Sequence, residues 1–259
     1  MLTRIIAGLA LVPLVIFIIY GGLPLYIAEM AIVSIALNEF YKAFKVKDIN
    51  PLFSIGYIFS VYLAVKNALN LSVEYTYVVF FILFLIGIIS LLRCKHNIID
   101  IAVTFLGIFY VAMFFDFIVL TINNFELGKI YVWIIFIISF MTDTFAYFSG
   151  YLFGKHKLIP KISPKKTIEG SIGGIVGSTC CCILFGYLFK FNLLHMAIIG
   201  SIGSIIAQFG DLFASSIKRH VGIKDYGKLI PGHGGILDRF DSVILVAPFV
   251  YYAIDFFIK

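Results

Sequence analysis

Charge is what this sequence has least of. Asp, Glu, Lys and Arg make up 13% of the 259 residues, against about 25% in a typical soluble domain. Hydrophobic residues reach 61%, which leaves too little polar surface to coat a water-facing globule. A soluble domain is excluded. Cysteine is scarce too: Cys94, Cys180, Cys181 and Cys182 are the four in the chain. None has the C-x-x-C or Cys/His spacing of a metal site, and the three adjacent ones sit in an apolar run, where they read as small hydrophobes. Low-complexity tracts and internal repeats are missing as well.

What fills the chain instead is a series of apolar runs. A helix needs about 20 mainly apolar residues to cross a bilayer. Stretches 5–22, 24–43, 51–68, 74–92, 98–122, 128–150, 171–191, 194–214 and 242–258 meet or approach that requirement. The expected fold is all-α: a polytopic integral membrane protein of about nine transmembrane helices joined by short loops. The turn Gly21-Gly22-Leu23-Pro24 separates the first two. The first run follows Arg4 and lacks an A-x-A-like cleavage site, so it reads as a retained span. Residues 1–125 form the N-terminal helices and 126–259 a C-terminal catalytic region of one integrated membrane domain.

With nine spans and the N-terminus inside, sixteen of the twenty Lys and Arg residues fall on the inner side. Only Lys66, Lys129, Lys190 and Lys259 fall outside, the asymmetry of the positive-inside rule. The reading places the chain in the inner (cytoplasmic) membrane with its long basic loops in the cytoplasm. The net charge of +6 then faces anionic head groups and phosphates. A nucleic-acid partner is disfavoured, because the basic loops lack interleaved aromatic stacking platforms.

Acids at membrane depth are costly and call for a reason. Glu29 and Glu39 fall in the second span and Asp116 in the fifth. Glu39 and Asp100 lie near span ends and are expected to be solvated at the interface; Asp116 is deeper and is a candidate to line a cavity. Asp143 lies near the cytoplasmic end of the sixth span, followed by Tyr147 and a Lys-dense loop. There Ser163, Lys165, Lys166 and Thr167, with the helix opening at 170–174, offer charges, hydroxyls and free amides to an anion. Anionic lipid and nucleotide fit that surface equally well. Gly173 and Gly177 have G-x-x-x-G spacing and read as helix packing.

The most polar stretch is Ser215 to Asp241. Just before it, Asp211 lies more than about four turns into an apolar segment and needs a counter-ion. Asp238 and Asp241, three apart, share a helix face and repel unless a cation lies between them. Asp211, Asp238 and Asp241 are therefore a candidate divalent-cation site suited to Mg²⁺; the alternative is pairing with Lys218, Arg219, Lys224 and Arg239. Between the acids, residues 231–235 read either as a nest of amides around phosphate, with His233 donating to it, or as a tight turn. His233 is a contact rather than a base, since a phosphate nucleophile is already ionised.

Ser215, Lys218, Arg219, Lys224, Asp225, Gly227, Pro231, His233, Gly234, Gly235, Asp238, Arg239 and Asp241 together resemble the signature of the phosphatidate cytidylyltransferase (CDP-diacylglycerol synthase) family. The segment from Asp143 through Ser163, Pro164, Lys165, Lys166 and Thr167 to Glu169 and Gly170 looks like that family's second recurrent region. Phe145 departs from it, where relatives often have a small residue. The resemblance implies an Mg²⁺-dependent nucleotidyltransferase of phospholipid biosynthesis that converts CTP and phosphatidate to CDP-diacylglycerol and pyrophosphate. It also implies a second, monovalent cation such as K⁺ and a homodimer. Carried over by position, Asp211, Asp238 and Asp241 would hold the metals. Lys218, Arg219, Lys224, Lys228, His233 and Arg239 would surround phosphates, with Asp143, Ser163, Lys165, Lys166, Thr167, Gly234 and Gly235 on the substrates. The alternatives are CTP-dependent transfer to another membrane lipid and anion transport. Transport predicts matched interrupted helices in two halves, whereas the polar features here crowd into the C-terminal half.

Overall fold

A computed structural model describes residues 12–229 and 234–258. Arg4, Lys259, His233 and the Pro231–Gly232 part of the glycine-rich turn lie outside the described residues. The helices among them are α1 (Val12–Tyr20), α2 (Gly22–Lys45), α3 (Phe53–Ala68), α4 (Glu74–Leu92) and α5 (Ile98–Asn124), then α6 (Gly128–Phe153). A hairpin of β1 (Lys157–Ile159) and β2 (Ser163–Thr167) leads into α7 (Ile168–Phe189), α8 (Leu193–Val221) and α9 (Leu237–Phe257). The chain is thus an all-α multi-pass membrane protein. Seven of the described helices, α2 and α4 through α9, are long and apolar enough to cross a bilayer. The expected count of nine is not reached on that criterion, because α3 has 16 residues and α1 is described over nine.

The chain divides into two compact units. The first takes residues 1–119 and 220–239, the second 120–219 and 240–259.

In the first unit, α4 turns most of its surface outward: Tyr77, Val78, Phe81, Ile82 and Ile89 are exposed, as befits a helix whose solvent is lipid. Its partners pack around α2, where buried Tyr41 donates to the carbonyl of Thr104 at 2.8 Å and Phe40 meets the rings of Tyr110 and Tyr226. Asp100 is not solvated as expected. It is buried and completes a capping box with Asn97 at the start of α5, and its Oδ1 accepts from the amide of Asn50 at 2.6 Å. A helix start supplies orphan amides for a carboxylate to satisfy. Within α5 a π turn covers Ile108–Met113, and beyond it Asp116 meets Lys66, Asn67 and Glu29 in a buried polar cluster.

In the second unit, α6 lies against α7 and is tied to α8 by a hydrogen bond from Thr142 to Ser204 at 2.8 Å. The side chain of Phe145 occupies the space a Cβ at Gly177 would need. The bulky residue at 145 is therefore accommodated by the glycine facing it, the close approach the G-x-x-x-G spacing anticipates. The hairpin is antiparallel, pairing Lys157 with Thr167 and Ile159 with Ser163. Helix α8 runs past the expected end at 214 to Val221, because buried Ala214, Ile217 and Val221 continue its apolar face. Ser215 and Lys218 are consequently helical.

Candidate active site

A cavity of about 470 Å³ opens in the second unit. Helix α6 contributes Asp143, Tyr147, Gly150 and Tyr151, spaced so that they share one face. The hairpin adds Lys157, Leu158, Lys165, Lys166 and Thr167, α7 adds Gly170 and Ser171, and α8 adds Gln208 and Asp211. Thr167 caps α7: its hydroxyl oxygen accepts from the amide of Gly170 at 3.1 Å, as expected of a Thr at this position. Ser171 donates to the Gln208 side chain, and Gln208 Nε2 returns a bond to the Ser171 carbonyl at 3.2 Å. The cavity wall is thereby pinned where α7 meets α8.

Asp143 and Asp211 line this space, and Asp241, outside its lining, lies within their electrostatic reach. Lys166 Nζ lies 2.5 Å from Asp211 Oδ2, and Ser215 donates to Asp211 Oδ1 at 3.2 Å. Gly210 lets α9 approach closely: a Cβ there would stand 2.7 Å from the carbonyl oxygen of Asp241. Asp241 is buried, and its carboxylate lies in the field of Asp211, Lys218 and Asp143. Carboxylates this close repel one another and favour positive charge among them, here met by Lys166 and Lys218. Among the described residues, no group of three His, Cys, Asp or Glu is drawn close enough to hold a metal ion unaided. Mg²⁺ needs fewer protein donors than that, commonly one or two carboxylates with water and substrate phosphate completing its shell.

The other expected residues fall as follows. Asp238 belongs to the first unit, where its Oδ2 accepts from the amides of Tyr226 at 2.8 Å and Gly235 at 3.0 Å. The amide of Gly235, expected to face phosphate, is therefore engaged by a carboxylate. Gly234 has φ +86°, a turn conformation that favours glycine. Lys224 and Lys228 are exposed in the same loop, and the Nε of Arg239 is buried with no hydrogen-bond partner among the described residues. In the second unit, Arg219 Nε reaches the carbonyl of Ile162 at 3.4 Å, Lys218 is buried, and Ser163 lies in β2 away from the cavity lining.

Sequence reading missed Tyr151, which the i, i+4 spacing from Tyr147 could have revealed; the two rings stack with centroids 6.5 Å apart. It also missed Glu39, which is buried rather than solvated. The Glu39 carboxylate accepts from the amides of Ile236 at 3.1 Å and Leu237 at 2.8 Å. No local spacing could have signalled a partner almost two hundred residues away.

Leu158, Ser171 and Gln208 also border a second cavity of about 220 Å³, whose remaining walls are Ile159, Ile175, Ile205, Phe209 and Leu212. A charged chamber thus adjoins an apolar one.

Residues 2–257 match the cytidylyltransferase family. Curated relatives named phosphatidate cytidylyltransferase include one from Staphylococcus haemolyticus (strain JCSC1435), 36% identical over 258 residues and 95% of both chains. Another, from Bacillus subtilis (strain 168), is 32% identical over 268 residues, 98% of this chain and 97% of the relative. One from Staphylococcus aureus (strain COL) is 34% identical over 252 residues and 95% of each. Because the likeness runs through the helices of both units and not only through the polar signature, the chain belongs to the cytidylyltransferase family.

Proposed function

We propose that this membrane protein transfers the cytidylyl group of CTP to phosphatidate, giving CDP-diacylglycerol and pyrophosphate. The observation that carries the reading is the pairing of chambers. Lys157, Lys165 and Lys166 face Asp143 and Asp211 in one, and the other is lined by aliphatic residues and Phe209. A lipid phosphate suits the first and its acyl chain the second. A phosphatidate oxygen would form the new bond to the α-phosphorus of CTP, and the bond to the departing pyrophosphate would break opposite it.

Asp211 and Asp241, with Asp143 beside them, are the carboxylates that would hold Mg²⁺, with a monovalent cation such as K⁺ as a second ion. Bound there, the metal would neutralise phosphate oxygens and the charge growing on the leaving group. Lys166, which pairs with Asp211, would then be released toward the phosphates, joined by Lys165. Asp238 would keep the signature loop closed. The distribution of Lys and Arg supports a cavity facing the cytoplasm in the inner membrane, and the family resemblance supports a homodimer.

The test is a label experiment with purified protein, Mg²⁺, phosphatidate and CTP. Label at the α-phosphorus is expected in the lipid fraction and label at the γ-phosphorus in pyrophosphate. Release of both labels to water, or transfer only to a different lipid acceptor, would contradict the assignment.

A further inference from the structure

We infer that Glu39 is a positioning residue for this reaction: it holds the start of α9, and with it the Asp241 carboxylate, from a helix on the other side of the sequence. The inference rests on the function proposed above. Glu39 lies on α2, 197 residues before Ile236 and 198 before Leu237. Its two carboxylate oxygens accept one amide each, at 3.1 and 2.8 Å. These amides stand at the N-terminus of α9, where backbone donors have no partner within the helix and the dipole favours an anion. The residue preceding α9 is Ile236, whose side chain offers no acceptor, so the helix cannot cap itself in the usual way. The cap is imported from α2.

The fit around this carboxylate is close. A Cβ at Gly227 or at Gly235 would collide with the Glu39 side chain, so the loop wraps it from two directions. Asp238 takes the amides of Tyr226 and Gly235 in the same loop. Two carboxylates thus hold four amides between Tyr226 and Leu237. Asp241 follows Leu237 by four residues on the same helix, about one turn. Where α9 begins therefore sets where Asp241 stands, and a misplacement of about 1 Å at a catalytic group can cost about a hundredfold in rate. Glu39 itself touches no reacting atom.

The experiment uses the full-length purified protein as wild type, Glu39→Gln and Glu39→Asp. Gln keeps the shape but turns an NH₂ group toward one of the two amides, donor against donor. Hydrogen exchange over 234–241 and the kcat and KM for CTP and phosphatidate, per folded molecule, are the readouts. Glu39→Gln should speed exchange at Ile236 and Leu237 roughly tenfold or more. It should lower kcat roughly tenfold to a hundredfold, by more than it raises either KM. Glu39→Asp, which retains both oxygens, should recover part of each. If Glu39→Gln does not fold, Gly227→Ala disturbs the same contact without changing charge and should move both readouts in the same direction. Wild-type exchange in Glu39→Gln, or faster exchange with unchanged kcat, would overturn the positioning role. An inactive wild type would instead overturn the proposed reaction, and the exchange difference would still report on the cap.

Discussion

Lys66 and Asp116 form an ion pair in which both side chains are almost fully buried. Asn67 donates to Asp116 and to Glu29, each at 2.9 Å, while Glu29 Oε1 is buried with no hydrogen-bond partner among the described residues. Breaking a buried pair from one side leaves the other charge uncompensated, at about 3–5 kcal/mol. Lys66→Met should therefore lower unfolding stability in detergent by about that amount. Lys66→Met combined with Asp116→Leu should recover most of it. A single variant as stable as wild type would contradict the pairing. Lys66 stands near the end of the apolar run 51–68 and by position counts toward the outer side, whereas the acids that draw it inward come from α2 and α5. Glu39 and Asp100 read as solvated from their place near span ends, because their partners are backbone amides, which composition does not report.

Among the elements, α6 and α7 owe their approach to Gly177. A side chain there has to displace Phe145. Gly177→Val should destabilise the second unit, and Phe145→Ala should relieve that cost, with a coupling of about 0.5–3 kcal/mol in a double-mutant cycle read by thermal unfolding. Strict additivity would contradict the contact. The glycine spacing was legible in the sequence; the identity of the ring it faces was not. The hairpin β1–β2 escaped notice because its strands have three and five residues and one of them reads Ser-Pro-Lys-Lys-Thr, with no apolar alternation to reveal it. The extension of α8 to Val221 was readable from the spacing of Ala214, Ile217 and Val221, yet the polar residues between them argued for a loop.

Over the whole molecule, composition alone identified a helical membrane protein, and the acids and bases of the C-terminal half marked where its chemistry lies. How those residues are shared out needed the structure. Asp143, Lys166, Asp211, Lys218 and Asp241 belong to the second unit, and Lys224, Lys228, Gly234, Gly235, Asp238 and Arg239 to the first. Asp238 and Asp241 share a helix face by spacing, yet Asp238 closes a loop while Asp241 lies in the field of Asp143 and Asp211. The proposed chemistry centres on this carboxylate group in the second unit. Its most direct test is the rate of CDP-diacylglycerol formation by Asp241→Asn, per folded molecule, at saturating CTP, phosphatidate and Mg²⁺. A fall of about a thousandfold or more is expected, the loss of several kcal/mol of transition-state stabilisation; a rate within about twofold of wild type, a difference of only a few tenths of a kcal/mol in the barrier, would place the chemistry elsewhere.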